Sequence, residues 1–317
     1  MTTIRFLAAQ TLAAAVLLAA PALAQPPIAV AADSDTAADV EAWRQQYDQS
    51  LREEYGWLSV AGLTFLPGGV YAIGGAPHSD IPLPTGHVPG RVGVVTVTAG
   101  VVTLQLAPGV SALLNGEPAA QRVELRTAGM SADGTPRPAD RVRVGKVEFH
   151  LHQSGTRLAM RVRDPESPIR LGFQGPRWYA VSDAARVVAT LTRFPAPQPF
   201  EVRNILGDPQ HYEAAGALEF TWDGQPVRLL AFTSSGGRLQ LIFRDAGLGR
   251  ETYGTRYAYA EPAADGRYVI DFNRAYNPPC AYNPYTTCPT PPAQNILKVA
   301  IRAGEKIYDV PGATASR

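Results

Sequence analysis

The chain has 317 residues, 45% of them hydrophobic, and a formal net charge of +1 at pH 7. So balanced a charge, with no cluster of basic residues, lacks the electrostatic footprint of a nucleic-acid-binding protein. Lysine is confined to Lys146, Lys298 and Lys306 while arginine is abundant, a bias of composition before it is one of function.

Arg5, the apolar run from Leu7 to Ala20 and the small residues Ala22-Leu23-Ala24 form a secretory signal peptide over residues 1–24. Gln10, Thr11 and Pro21 interrupt the run short of the ~20 apolar residues that span a bilayer. A lipoprotein anchor needs a cysteine at the cleavage site, and the cysteines are Cys280 and Cys288. The expected mature chain begins near Gln25, is periplasmic or secreted, and carries no stable membrane anchor. Residues 25–38, rich in Ala, Pro and Asp without periodicity, read as a disordered leader.

Residues 39–163 read as a first domain. Val40, Trp43, Tyr47 and Leu51 recur at helical spacing and predict one amphipathic helix to about Glu54. Beyond Tyr55 come alternating runs: Val92–Val97, Val101–Leu106, Val110–Leu114 before the turn pair Asn115-Gly116, Gln121–Leu125, Arg141–Val144, Val147–His152 and Arg157–Val162. Short strands with one apolar face each predict a β-sandwich. Asp164-Pro165-Glu166-Ser167-Pro168 reads as a hinge.

Residues 164–310 read as a second antiparallel sandwich or part-closed barrel. Its predicted strands run from Arg186–Thr192 to Arg267–Phe272, with a last one at Leu297–Ile301 and a tail at 311–317. The expected fold class is therefore mainly β, with two β domains and one short N-terminal helix. The segment from Asp271 to Glu305 holds both cysteines, six prolines, three tyrosines and four asparagines. That is too much stereochemical constraint for an idle connection. In an exported chain the expected state of Cys280 and Cys288 is a disulfide.

Asp245, Glu251 and Asp271 are the candidate catalytic carboxylates. With Arg256, Asn273 and Arg274 they are expected to gather at one rim if the strand ends are neighbours, where paired acids can act as acid and base. Tyr253, Arg256, Asn273, Arg274, Tyr276 and Asn277 are the candidate ligand-binding residues. The alternative is that the arginines pair with these acids and fix the loop. His150 and His152 have the spacing of a metal pair but no third ligand in reach, and are assigned to the solvent face of a one-sided sheet. No metal site or cofactor is assigned, because no phosphate loop, dinucleotide fingerprint, Gly-x-Ser-x-Gly or His-Glu-x-x-His motif occurs.

Tyr55-Gly56-Trp57-Leu58-Ser59-Val60-Ala61-Gly62-Leu63, Arg163-Asp164, Glu251-Thr252-Tyr253-Gly254 and Asp271-Phe272-Asn273-Arg274-Ala275-Tyr276-Asn277-Pro278-Pro279-Cys280 resemble the bacterial and archaeal domain of unknown function 1684 family. Ala246 departs from the threonine of that pattern. The resemblance implies common ancestry and fold, and no activity. A local stretch, Leu66-Pro67-Gly68-Gly69-Val70-Tyr71-Ala72-Ile73-Gly74 with Ser79-Asp80-Ile81-Pro82-Leu83, is similar to a forkhead-associated domain. The phosphate-gripping arginine of such a domain is replaced by Gly75, so the sandwich is kept as an expectation and phosphopeptide binding is not.

The function these features predict is an exported β protein of the cell envelope that binds a small molecule or a partner protein, its site in the second domain. The alternative is an exported enzyme whose second-domain carboxylates act on a small polar substrate.

Overall fold

Along the N-terminal strands buried and exposed side chains alternate, so each strand has one face to hide, and two sheets hide them against each other. The computed structural model describes residues 37–131 and 133–308; the expected signal peptide, most of the expected leader and the expected tail lie outside them. The helix α1 (Ala37–Leu51) precedes β1 (Val60–Phe65), β2 (Gly69–Gly74), β3 (Ile81–Pro82), β4 (Gly93–Thr98), β5 (Val101–Leu106), β6 (Leu113–Leu114), β7 (Glu117–Pro118), β8 (Arg122–Leu125), β9 (Gly129–Met130), β10 (Pro136–Arg137), β11 (Arg141–Val144), β12 (Val147–Ser154) and β13 (Arg157–Arg163). One sheet has the order β3-β2-β4-β5-β8 and the other β1-β13-β12-β11-β6-β7. Ile73, Val95 and Leu104 of the first meet Val142, Phe149, Met160 and Val162 of the second in one core. Asn115 and Gly116, both at positive φ (54° and 95°), make the tight β6–β7 turn that their pairing predicts. At Gly75 an added Cβ would lie 3.2 Å from the Val88 carbonyl, so the backbone closes where a phosphate-binding arginine would stand.

A short helix, α2 (Pro168–Leu171), leads to β14 (Arg186–Arg203), β15 (Pro209–Trp222), β16 (Gln225–Thr233), β17 (Leu239–Phe243), β18 (Arg256–Pro262) and β19 (Tyr268–Asp271), which close into a six-stranded barrel. Leu218, Phe220, Leu229, Leu241, Phe243, Ile270 and Phe272 fill it. Closure leaves no sheet edge, which answers the aggregation hazard of an open sheet. The β14–β15 pairing jumps from Arg193↔Gly216 to Gln198↔Ala214. Residues 194–197 of the Phe194-Pro195-Ala196-Pro197-Gln198-Pro199-Phe200 stretch therefore arch off the sheet, as prolines without an N–H to donate require.

Three expectations change. The helix α1 does not pack on the sandwich: Tyr47 Oη donates to the Asn277 carbonyl (2.9 Å) and Arg44 to that of Asn273 (3.2 Å), so its buried face belongs to the C-terminal half. The 164–168 segment is no loose hinge. Asp164 N–H donates to Ser59 O (2.7 Å), its carboxylate meets His87 Nδ1 (2.9 Å), and Asp164 and Ser167 are buried. Leu297–Ile301 is not a strand but makes separate bonds to the chain beyond β17, Leu297 N–H to Arg244 O (2.8 Å) and Ala246 N–H to Val299 O (3.0 Å).

Candidate functional site

The Pro-rich segment after β19 is a strut between the two domains. Pro278-Pro279 set up a single 3₁₀ turn over Pro279–Ala281, and the chain then runs along the sandwich. There Asn283 Nδ2 donates to the carbonyls of Trp57 (3.0 Å) and Val60 (2.7 Å). Tyr282, Ala281, Tyr47, Leu51, Leu58 and Phe173 close an apolar seam beneath it. Asparagines recur in the segment because each side-chain amide pairs with backbone groups that no strand partner reaches.

The six charged and amide groups expected at one rim separate into distinct networks. Asp245 is buried with Arg256: Arg256 Nη1 lies 2.8 Å from Oδ2, while Oδ1 accepts from Gly247 N–H (2.7 Å) and Thr252 Oγ1 (3.0 Å). The same guanidinium donates to the carbonyls of Ile301 and Ala303, tying the C-terminal segment across the barrel mouth. Glu251 is on the surface, 3.0 Å from Arg302. Asp271 accepts from Asn273 N–H and Nδ2 (3.0 and 2.9 Å) and stands 3.6 Å from Arg274. Asn273 also exchanges two hydrogen bonds with the Ser182 backbone. Of the ligand candidates, Tyr276 packs against Tyr257, Tyr47 and Trp43, and Tyr253 Oη donates to the Cys280 carbonyl (3.2 Å). Asn277 is fully buried: its N–H donates to Glu305 Oε2 (2.8 Å) and its Nδ2 to Lys306 O (2.8 Å). Burial pushes the Glu305 carboxyl up to about 8, against the hydrogen bonds from Tyr282 and Asn277.

The disulfide is corrected: Cys280 and Cys288 are thiols. Cys280 N–H donates to Cys288 Sγ (3.3 Å), so the short loop brings the residues together without bonding them. The histidines are corrected too. His150 is only 5% exposed and His152 Nε2 lies 2.9 Å from Thr287 Oγ1, because the strut covers the sheet face that the strand pattern alone would leave to solvent.

Two recesses open in the C-terminal half. One, of about 290 Å³, is lined by Val40, Val181, Asp183, Arg186, Asp271 and Asn273, and so gathers two of the sequence candidates. The other, of about 490 Å³, lies on the outer wall of the barrel. Its floor is Ala214, Ala217 and Leu230, its walls are Phe194 and Phe200, and its polar rim is Gln198, Arg228 and Gln294. The floor continues an apolar outer face in which Phe232, Ile242 and Tyr257 are covered by Tyr276. Small residues at Ala214 and Ala217, with Phe194 in the arch on one side and Phe200 in register on the other, make the depression; the signal was the Phe-Pro-Ala-Pro-Gln-Pro-Phe stretch. Among the described residues there is no group of three or more His, Cys, Asp or Glu placed to hold a metal ion, and no helix long and apolar enough to cross a membrane.

The family model described as "Protein of unknown function (DUF1684)" matches residues 171–306, which span the barrel and the strut. The solution structure of an uncharacterized protein of Haloarcula marismortui is 34% identical over 45% of this chain and 80% of that chain, with a TM-score of 0.37, so the kinship rests on sequence. No curated protein matches the chain. With the strut that carries the Asp-Phe-Asn-Arg-Ala-Tyr-Asn-Pro-Pro-Cys motif inside the matched region, the chain belongs to the DUF1684 family.

Proposed function

We propose that this is an exported β protein that binds one small, largely apolar molecule in the groove on the outer wall of its barrel. The observation that carries the reading is the composition of that groove: two alanines and a leucine, two phenylalanines and three polar side chains, about 490 Å³ in all. Ligand sites in proteins are concave, mostly apolar and furnished with a few polar groups that fix orientation. The aromatic walls suit a ring or a short chain, and the rim donors Gln198, Arg228 and Gln294 suit a polar or acidic end. Asp245, one of the candidate catalytic acids, supports this reading over acid/base catalysis, since both its oxygens are engaged inside the protein.

The test is native mass spectrometry of the protein collected outside the cytoplasm of its host. The reading expects a chain that starts near Gln25 and gains the mass of one organic molecule when incubated with an extract of small metabolites. A precursor-length chain retained in the cytoplasm would sink the export part; a mass unchanged by any extract would sink the binding part.

A further inference from the structure

The sheet face beneath the strut holds an excess of buried positive charge. The register places Arg141 beside His150 beside Arg161, and Arg143 beside Glu148 beside Arg163, so these side chains share one face of β11, β12 and β13. Glu148 spends its carboxylate on Arg141 (2.8 Å) and Arg143 (3.3 Å). Arg161 and Arg163, 3% and 4% exposed, then have no carboxylate at ion-pair distance among the described residues. Arg161 donates to Thr287 Oγ1 (3.2 Å) and Arg163 to the Tyr55 carbonyl, but the Nε of each is buried without a partner, as is His150 Nδ1. A buried charge left unpaired is strongly destabilising, as when a buried ion pair loses one of its partners. Trp57 offers both guanidiniums its ring, at 5.5 and 5.7 Å, which offsets a part of that cost.

The surroundings are arranged as a receptor for negative charge. The two histidines are kept neutral: burial, then the nearby guanidiniums, hold His150 well below its ordinary value, and burial and Arg161 bring His152 to about 3. Neutral His152 accepts from the Thr287 hydroxyl through Nε2, and the Thr287 oxygen accepts from Arg161, so the strut locks the guanidinium in place. Burial, then repulsion from a neighbouring guanidinium, lowers both Arg161 and Arg163 to about 10, and both stay charged at neutral pH. Arg141 and Arg143, 38% and 41% exposed, connect the buried pair to solvent.

We propose that the seam between the sandwich and the strut is a binding site for a small oxyanion, phosphate or carboxylate, gripped by Arg161 and Arg163 with His150 Nδ1–H as a further donor and Trp57 as its wall. Guanidiniums are the groups that take such anions bidentately. This site shares no residue with the lining of the barrel groove.

Isothermal titration of the full mature chain with inorganic phosphate, and separately with acetate, against sodium chloride at equal ionic strength tests it. The expected result is one saturable site for at least one of the two anions. Arg161→Gln and Arg163→Gln should each weaken it at least tenfold, while Arg267→Gln, a surface change at the far side of the barrel, leaves it unaltered. Response to phosphate alone identifies a tetrahedral anion, and response to acetate alone a carboxylate-bearing ligand. Should Arg161→Gln lose the native circular dichroism, Arg161→Lys takes its place, because lysine keeps the charge and loses the bidentate grip. Heats equal to those of chloride in the wild type, or binding undiminished in the arginine variants, overturn the proposal.

Discussion

Asn295 completes the barrel wall with its side chain. Its Oδ1 accepts from Leu230 N–H (2.7 Å), and its Nδ2 donates to the carbonyls of Leu230 and Ile242 (both 2.9 Å). Strands β16 and β17 pair only at Phe232↔Gln240 and Thr233↔Leu239, so beyond that point the amide stands between them as a missing strand would. Asn295→Ala leaves three buried backbone groups unsatisfied and should cost about 3 kcal/mol. Urea unfolding of the variant measures it; a loss below about 1 kcal/mol would show that the wall does not depend on the amide.

Arg256 and Asp245 form an ion pair with both side chains fully buried. Removing one partner strands the other charge. Asp245→Leu and Arg256→Met are each expected to cost about 3–5 kcal/mol, and the double variant less than the sum of the two. Chemical denaturation of the three variants is the measurement, and additive losses would contradict the coupling.

Two buried groups tilt the pH profile in opposite directions. Glu305 ionises at about 8 in the fold against an ordinary 4.5. Between those values the folded chain holds the extra proton, so the stability this group contributes is full below about 4.5 and is lost as pH rises to about 8. His152 titrates at about 3 against 6.5, so its contribution is present above 6.5 and is lost as pH falls towards 3. Thermal melts from pH 3 to pH 9 should show Glu305→Gln flattening the alkaline limb and His152→Gln the acid limb. Unchanged limbs would mean that other groups set the profile.

The thiols should resist modification while the protein is folded. Cys280 has its thiol pushed up by its hydrogen bond to Cys288 and by burial, while Cys288, held down against burial by hydrogen bonds with Cys280 and Thr286, is protected by access alone, being only 7% exposed. A thiolate is the reactive form, so a thiol-titrating reagent should find no reactive group in the native protein and two after unfolding. An intact mass short by two hydrogens, with no thiol released by denaturant, would restore the disulfide.

The strand pattern announced both β domains because alternation over four to eight residues survives wherever one sheet face is buried and the other wet; β5, β8 and β11 show it plainly. It misled where a second body covers the other face. Val147–Ser154 is buried at most positions on both sides, so its histidines looked solvent-facing in sequence and lie under the strut in the fold. The strut was recognisable as rigid from its prolines and asparagines, but not which backbone groups each asparagine meets, since those partners are up to 226 residues away. Asp271 and Asn273 were placed together because they are two residues apart. Asp245 and Asp271 take separate partners, Arg256 for the one and Asn273 for the other, and a strand end in the sequence does not say which partner its side chain meets. Trp57 and Arg163 stood in the family-like motifs with no role attached and Arg161 within a strand run, since an arginine in a strand signals nothing until its missing partner can be seen.

The groove lined by Phe194 and Phe200 is the proposed ligand site. Fluorescence titration with 8-anilinonaphthalene-1-sulfonate, an apolar ring system with an acidic end, addresses it in the wild type and in Ala217→Trp, which fills the floor. A single saturable site is expected in the wild type, abolished by Ala217→Trp with the fold retained and left in place by Arg161→Gln. Equal binding by the wild type and Ala217→Trp, or no binding by either, would contradict it.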